Sequence, residues 1–164
     1  MGEDQPPQVK VEVTAEAGEI LVIVQQVEGA PEDIWGCLTN PDCFKLWWHE
    51  HVQFDARLDG QFVEPWRDPT GQNKVTRAQV TAYHPPVGFV MVWADEDWTF
   101  DTVVSVSLKP VDGGTEVTVE HQGWHLAPEA ARGELMQQHR AGWSRHLASL
   151  AAHANEHHAR RKGH

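Results

Sequence analysis

Cysteine is scarce in this chain of 164 residues: only Cys37 and Cys43 are present, close together in one short helical region. Two such residues give neither a disulfide framework nor a zinc-ligand pattern. No stretch approaches the roughly 18 consecutive apolar residues that a membrane span needs. The opening MGEDQPPQ has neither a basic n-region nor an apolar h-region. The expectation is a soluble, cytoplasmic protein with no membrane partner. Also missing are a nucleophile elbow, a phosphate-cradling glycine loop and a Gly-x-Gly-x-x-Gly run, which argues against nucleotide-dependent enzymes. Positive charge is short as well. Residues 1–126 hold seven Lys/Arg against 21 Asp/Glu, whereas residues 127–164 hold six against three. A body this acidic repels a phosphate backbone, so nucleic acid is not an expected partner. The basic run HARRKGH reads as a tail that offsets a helix dipole. No repeat, low-complexity tract or linker divides the chain, and its length suits one domain with its own core. The expected organisation is a disordered 1–8, a single domain over 9–155 and a flexible, His-rich tail over 156–164.

What the chain does have is hydrophobic period. From Pro128 to about Ala159 an apolar stripe runs through Met136, His139 or Arg140, Trp143, Leu147, Leu150 and Ala154. Steps of three and four make that one face of an α-helix, which must be buried against a partner. Upstream, Val9, Val11 and Val13 alternate with charged residues, and Ile20 to Val24 is a continuous apolar run; both read as strands. Pro31, Glu32 and Asp33 suit the start of a helix with Ile34, Trp35 and Leu38 facing inward. Asn40-Pro41-Asp42 then stops it and caps a second helix bearing Phe44, Trp47 and Trp48. Six strands follow at roughly 51–58, 61–67, 74–83, 87–94, 99–109 and 114–122, between breaks rich in Gly, Pro and Asp. Connections this short predict antiparallel neighbours.

Register decides which side chains share a face, because a slip of one residue swaps them all. Pairing 58 with 62 and 54 with 66 gathers Phe54, Leu58, Phe62 and Trp66 on the covered face. An even turn at 110–113 gathers Phe100, Val104, Val106 and Leu108 with Val117, Val119 and His121. Phe89, Met91 and Trp93 join them, while Glu116, Thr118 and Glu120 point to water.

Five segments in order, VEGAPEDIWGCLTNPDCFKLWW, FDARLDGQF, VTAYHPPVGFVMVW, GGTEVTVEHQGW and HRAGWSRHLASL, resemble the bacterial family similar to the activator of heat-shock protein 90 ATPase. That family lies within the START-like (SRPBCC, polyketide cyclase and birch-pollen-allergen-like) helix-grip superfamily, and the resemblance covers about residues 18–152. It implies an α+β fold in which a curved antiparallel sheet of about seven strands wraps a long C-terminal helix, with two short helices after the first strand. It also implies a cavity between helix and sheet, a chaperone as an alternative partner, and a place in stress response. The chain departs from the family's common double-glycine turn by carrying Asp59-Gly60.

Eight tryptophans in one domain are unusual. Singly, Trp47, Trp48, Trp66, Trp93 and Trp143 could each fill a core; together they favour a cavity for an apolar or aromatic ligand. The expected lining is Trp47, Trp48, Phe54, Phe62, Trp66, Phe89, Met91, Trp93, Phe100, Thr102, Val104, His121, Met136, His139 and Trp143. Glu64 and His121 are the candidate acid/base pair if the cavity is catalytic, although Glu64 beside Pro65 could face water and His121 could be a core histidine. The leading function is non-catalytic binding of a small hydrophobic or amphipathic molecule, by a monomer or homodimer and without a cofactor. The alternatives are a chaperone-interacting protein, with Val90, Val92 and Val103 as a partner patch, and a cyclase, aromatase or hydrolase using Glu64 and His121. Eleven histidines raise a metal reading. The sets His49-Glu50-His51, His121 with His125, and His153 with His157 and His158 each lack a spaced third ligand type, so no metal site is expected. Cys37 reads as a small core residue rather than a reactive thiol.

Overall fold

The computed structural model describes the backbone of residues 8–14 and 18–162 and the side chains of residues 20–156. Apart from Gln8, the segment expected to be disordered lies outside the described residues. Two strands, β1 (Gln8–Thr14) and β2 (Gly18–Val27), open the chain. Helices α1 (Pro31–Thr39) and α2 (Pro41–Trp47) follow. Then come β3 (Gln53–Phe54), β4 (Gln61–Arg67), β5 (Asn73–His84), β6 (Gly88–Asp95), β7 (Thr102–Val111) and β8 (Gly114–Gln122). A 3-10 turn at Trp124–Leu126 leads into α3 (Glu129–Lys162). All strands pair antiparallel in one sheet, ordered β1-β2-β8-β7-β6-β5-β4-β3. The expected α+β helix-grip architecture is what forms.

Local chemistry sets the joints. Pro31 occupies the first turn of α1, where its missing N–H costs nothing, with Glu32 and Asp33 at the positive end of the dipole. Asn40 ends α1 and caps α2, its side-chain oxygen accepting from the backbone N–H of Asp42 and Cys43 at 2.9 and 3.2 Å. The chain therefore bends sharply between the helices. One consequence overturns the reading of the cysteines: Cys37 and Cys43 form a disulfide, with Cα atoms 5.0 Å apart. In a continuous helix six residues would separate them by about 9 Å; the bend at Asn40-Pro41 closes that gap.

One expected register fails. β3 has only two residues, and Phe54 pairs directly with Phe62. Residues 55–60 form a longer loop in which Leu58 is exposed. The loop turns at Asp59, whose φ is 65°, and at Gly60, where a Cβ would collide with the Asp55 carbonyl oxygen. The Gly60 N–H donates to the Arg57 carbonyl within the loop, while Val80 of β5 donates its N–H to the Gly60 carbonyl and accepts from the Asp59 N–H. Phe54, Phe62 and Trp66 still share a face, because the true pairing shifts by an even number of residues. The other expected turn is even, as read, but shorter than 110–113: Val111 pairs with Gly114 across Asp112-Gly113, and Val104, Val106 and Leu108 face His121, Val119 and Val117. Phe100, expected in a strand, precedes β7 and stacks on Trp98 at 4.6 Å.

The core lies between the concave face of the sheet and α3. Met136, Trp143, Leu147, Leu150, Ala151 and Ala154 are buried along the helix, matching the stripe read from the sequence. Each large apolar side chain removed from water there stabilises the fold by about 1.5–3 kcal/mol. Polar bonds also fix the helix toward its C-terminal half: Ser149 Oγ donates to the Trp47 carbonyl at 2.8 Å, and the Glu28 N–H donates to Asn155 Oδ1 at 3.1 Å.

Candidate functional site

Most of the seam between helix and sheet is packed solid. Where Trp47, Phe54, Phe62, Phe89, Met91, Trp143 and Leu147 meet, only about 20 Å³ is left empty. Of the residues expected to line a cavity, Trp47, Phe54, Phe62, Phe89, Met91, Val104 and Met136 are therefore buried core. At the β4–β6 end of the sheet the packing opens into a cleft of about 630 Å³. Trp48, Trp66, Trp93, His139 and Trp143 from the expected set line it, as does Glu64. The structure brings those six together and leaves Phe100, Thr102 and His121 outside.

Register builds the floor of this cleft. Glu64 pairs with Thr76, and Thr76 with Asp95, so one polar row crosses β4, β5 and β6. Two positions along each strand lies an aromatic row in which Phe62 pairs with Ala78, Ala78 with Trp93 and Trp93 with Thr102. Side chains two apart on a strand share a face. The cleft is thus where the covered face changes from apolar to polar. Its other wall is α3, which presents Leu135, Gln138, His139, Gly142, Trp143 and His146, one helical stripe at steps of three and four.

The polar groups are individually engaged. Glu64 Oε2 accepts from Trp48 Nε1 at 2.8 Å and lies 3.0 Å from His49 Nε2. Even so, burial raises its pKa above the ordinary carboxylate value, outweighing both contacts. Asp95 Oδ1 accepts from the Thr76 hydroxyl at 2.6 Å, and that hydroxyl accepts from Trp66 Nε1 at 2.9 Å. Burial raises Asp95 too, against the pull of the Thr76 hydrogen bond and of His139. His139 Nδ1 donates to the Leu135 carbonyl at 2.8 Å, and burial lowers its pKa despite that bond and the charge of Asp95. His146 stacks flat on Trp48, ring centres 3.6 Å apart, and burial with the Arg145 charge pushes it down to about 3. Trp93, only 4% exposed, is different: its indole N–H has no hydrogen-bond partner among the described residues.

His121 belongs to the core. It is fully buried, with Nε2 2.7 Å from Thr102 Oγ1 and Nδ1 3.1 Å from Trp143 Nε1. The Thr102 hydroxyl donates its one hydrogen to the Trp93 carbonyl at 2.8 Å. The hydroxyl must therefore accept from His121 Nε2–H, which leaves Nδ1 to accept from the Trp143 indole. This chain of bonds fixes a neutral imidazole, and burial pushes its pKa well below the ordinary value. Glu64 lines the cleft and His121 does not, so the two are not brought to a common cavity.

Sequence reasoning missed Thr76, Asp95, His146 and Trp98 in this cleft. Two signals were available. The alternation Phe89, Met91, Trp93 continues to Asp95 on the same face, and His146 follows His139 by seven on the helix. Among the described residues, the one group of metal-ligating atoms close enough to hold an ion is elsewhere, at Cys37, Cys43 and His153. No helix among those residues is long and apolar enough to cross a membrane.

Comparisons with known proteins agree with this architecture. Solved structures align closely at low identity. A Rhodobacter sphaeroides protein matches with a TM-score of 0.69 and 18% identity, over 88% of this chain and 96% of that one. A Mycobacterium smegmatis protein gives 0.70 and 19%, over 90% and 96%. A solution structure from Arthrobacter aurescens gives 0.68 and 18%, over 91% of both chains. At such identities the likeness concerns the fold alone. No curated protein matches the chain. The family model described as activator of Hsp90 ATPase homolog 1-like protein matches residues 28–155, from the end of β2 into α3. The chain belongs to that family, whose START-like fold is that of a ligand-binding or chaperone-associated domain.

Proposed function

We propose that the protein binds a small, flat aromatic or amphipathic molecule in the cleft between β4–β6 and α3, without reacting with it. The observation that carries this reading is the Trp93 indole N–H, buried at the cleft and unpaired among the described residues. A buried donor left unsatisfied costs roughly 1–3 kcal/mol, so an acceptor on a ligand that reaches it gains what the free protein lacks. Trp48, Trp66, Trp98 and Trp143 supply flat walls for a ring system. The volume of about 630 Å³ falls inside the usual range for small-molecule sites. Thr76, Asp95 and Glu64 at the floor would orient a hydroxyl or amine on the same molecule.

Non-catalytic binding is favoured over cyclase or hydrolase chemistry because the acid/base pair is split. Glu64 lies at the cleft, while His121 is sealed by Thr102 and Trp143. The test is a titration with a panel of naphthols, hydroxyanthraquinones and fatty acids, followed by tryptophan fluorescence and by native mass spectrometry. Saturable quenching with the hydroxylated aromatics supports the reading. No saturable binding by any member rejects it. A chaperone partner is the second reading, supported by the family rather than by a surface feature. Failure to bind or stimulate an Hsp90 ATPase from a bacterial source at micromolar concentration would remove it.

A further inference from the structure

Away from the cleft, three helices meet at Cys37, Cys43 and His153. Cys37 comes from α1, Cys43 from the first turn of α2 and His153 from α3. Their ligating atoms lie within 4.8 Å of one another, and all three residues are half-buried. Cys43 Sγ is 3.4 Å from His153 Nε2. A tetrahedral zinc site with Zn–S near 2.3 Å and Zn–N near 2.0 Å places its sulfur and nitrogen about 3.5 Å apart. The Cys43–His153 pair therefore already stands at that spacing. Only Cys37 Sγ must swing away from its bonded sulfur, by rotation about its own side chain.

We propose that reduction of the Cys37–Cys43 disulfide creates a site for a thiophilic zinc-type ion, held by both thiolates and His153 Nε2. The site is therefore exclusive: the two sulfurs bond either each other or the metal. A dithiol reductant supplies two electrons and two protons to the protein sulfurs and leaves as its own disulfide. The incoming ion then displaces both thiol protons to solvent, so binding weakens as pH falls.

The surrounding frame holds the ligands in place through either state. Asn40 fixes the bend that brings the two cysteines together, through its bonds to the Asp42 and Cys43 N–H groups. Trp47 Nε1 donates to the Cys37 carbonyl at 3.0 Å, tying α2 back onto α1. Ser149 bonds to the Trp47 carbonyl one turn before His153, which sets the height and rotation of α3 against α2. None of these bonds uses the cysteine sulfurs, so none is broken by reduction. A metal bound here would clamp three helices that the disulfide clamps only pairwise.

Cobalt(II) is the probe, because thiolate ligation gives a sulfur-to-cobalt charge-transfer band that histidine and carboxylate ligation do not. The full chain is reduced with a water-soluble phosphine, freed of it and titrated with cobalt(II), with circular dichroism to verify that it stays folded. The expected result is a charge-transfer band saturating at one equivalent and bleached by zinc(II). Oxidised protein, which keeps every histidine, should give no such band. His153→Gln should weaken cobalt binding by at least about tenfold, the loss expected of one of three protein ligands. Cys43→Ser, which cannot form the disulfide, should lose the two-thiolate spectrum without needing reduction. A reduced, folded protein with no charge-transfer band would overturn the proposal, and so would an unchanged affinity in His153→Gln.

Discussion

Removing the indole N–H of Trp143 tests the buried polar chain behind the cleft. Trp143→Phe keeps an aromatic ring but leaves His121 Nδ1, fully buried, without its donor. The unsatisfied acceptor should cost about 1–3 kcal/mol, with more from the lost ring volume, about 1 kcal/mol or above. A double-mutant cycle with His121→Leu separates the two, because the volume loss persists in both backgrounds while the hydrogen bond does not. The coupling energy should be about 1–2 kcal/mol, measured by urea unfolding followed with far-ultraviolet circular dichroism. Trp143→Phe should also leave the Nδ1 lone pair open to a proton, which lets the folded state share the proton uptake and so makes stability fall less steeply with decreasing pH than in the parent. A coupling within about 0.5 kcal/mol of zero would refute the assigned bond and the tautomer deduced from it.

Other perturbations follow from the same coordinates. His121, His139 and His146 are each held neutral by burial, with His146 down to about 3. A depressed histidine contributes stability above its ordinary value near 6.5, and loses it as pH falls toward the folded-state value. For His146, whose folded-state value is about 3, this adds about 1.4 kcal/mol per pH unit to the slope below that point. Glu64 and Asp95, raised by burial, act in the opposite sense, because the folded state takes up their protons first as pH falls. His146→Phe should therefore flatten the stability–pH profile between about pH 6.5 and pH 5 by about 1.4 kcal/mol per unit; an unchanged slope contradicts the buried neutral imidazole. Gly60→Ala should destabilise by about 1–3 kcal/mol in urea unfolding, since the new methyl meets the rigid Asp55 carbonyl. A neutral result would mean that the 55–60 loop relaxes freely.

The long helix, the helix pair and the antiparallel pairing of successive strands from β3 to β8 are legible in the sequence because each rests on local chemistry, whereas the long-range pairing of β2 with β8 is not. The stripe through Met136, Trp143, Leu147 and Leu150, the Asn40 cap and the Asp112-Gly113 turn need no knowledge of distant residues. Register across the 55–60 loop is different. Asp59 at positive φ and Gly60 against Asp55 make a loop whose length cannot be inferred from alternation. The pairing of Phe54 with Phe62 is therefore misread by four residues, although its face is not. The disulfide is hidden for a related reason: the bend is recognised, but not its angle.

The site is legible in its aromatic half only. Trp48, Trp66, Trp93 and Trp143 stand out by type, whereas Asp95 reads as part of an acidic break between strands. Whether a set of tryptophans encloses space is a matter of packing, and here most of the seam closes while one end stays open. Neutral His121 looks like a catalytic base by residue type and is a core hydrogen-bond link by geometry.

The most direct test of the cleft is native mass spectrometry of freshly purified protein beside its Trp93→Phe variant. The parent should retain, or take up from an aromatic panel, one small molecule per chain. The variant, which keeps the ring but not the N–H, should hold it about tenfold less tightly. Equal retention by both proteins, or none by the parent, would contradict the assignment of this cleft as a binding site.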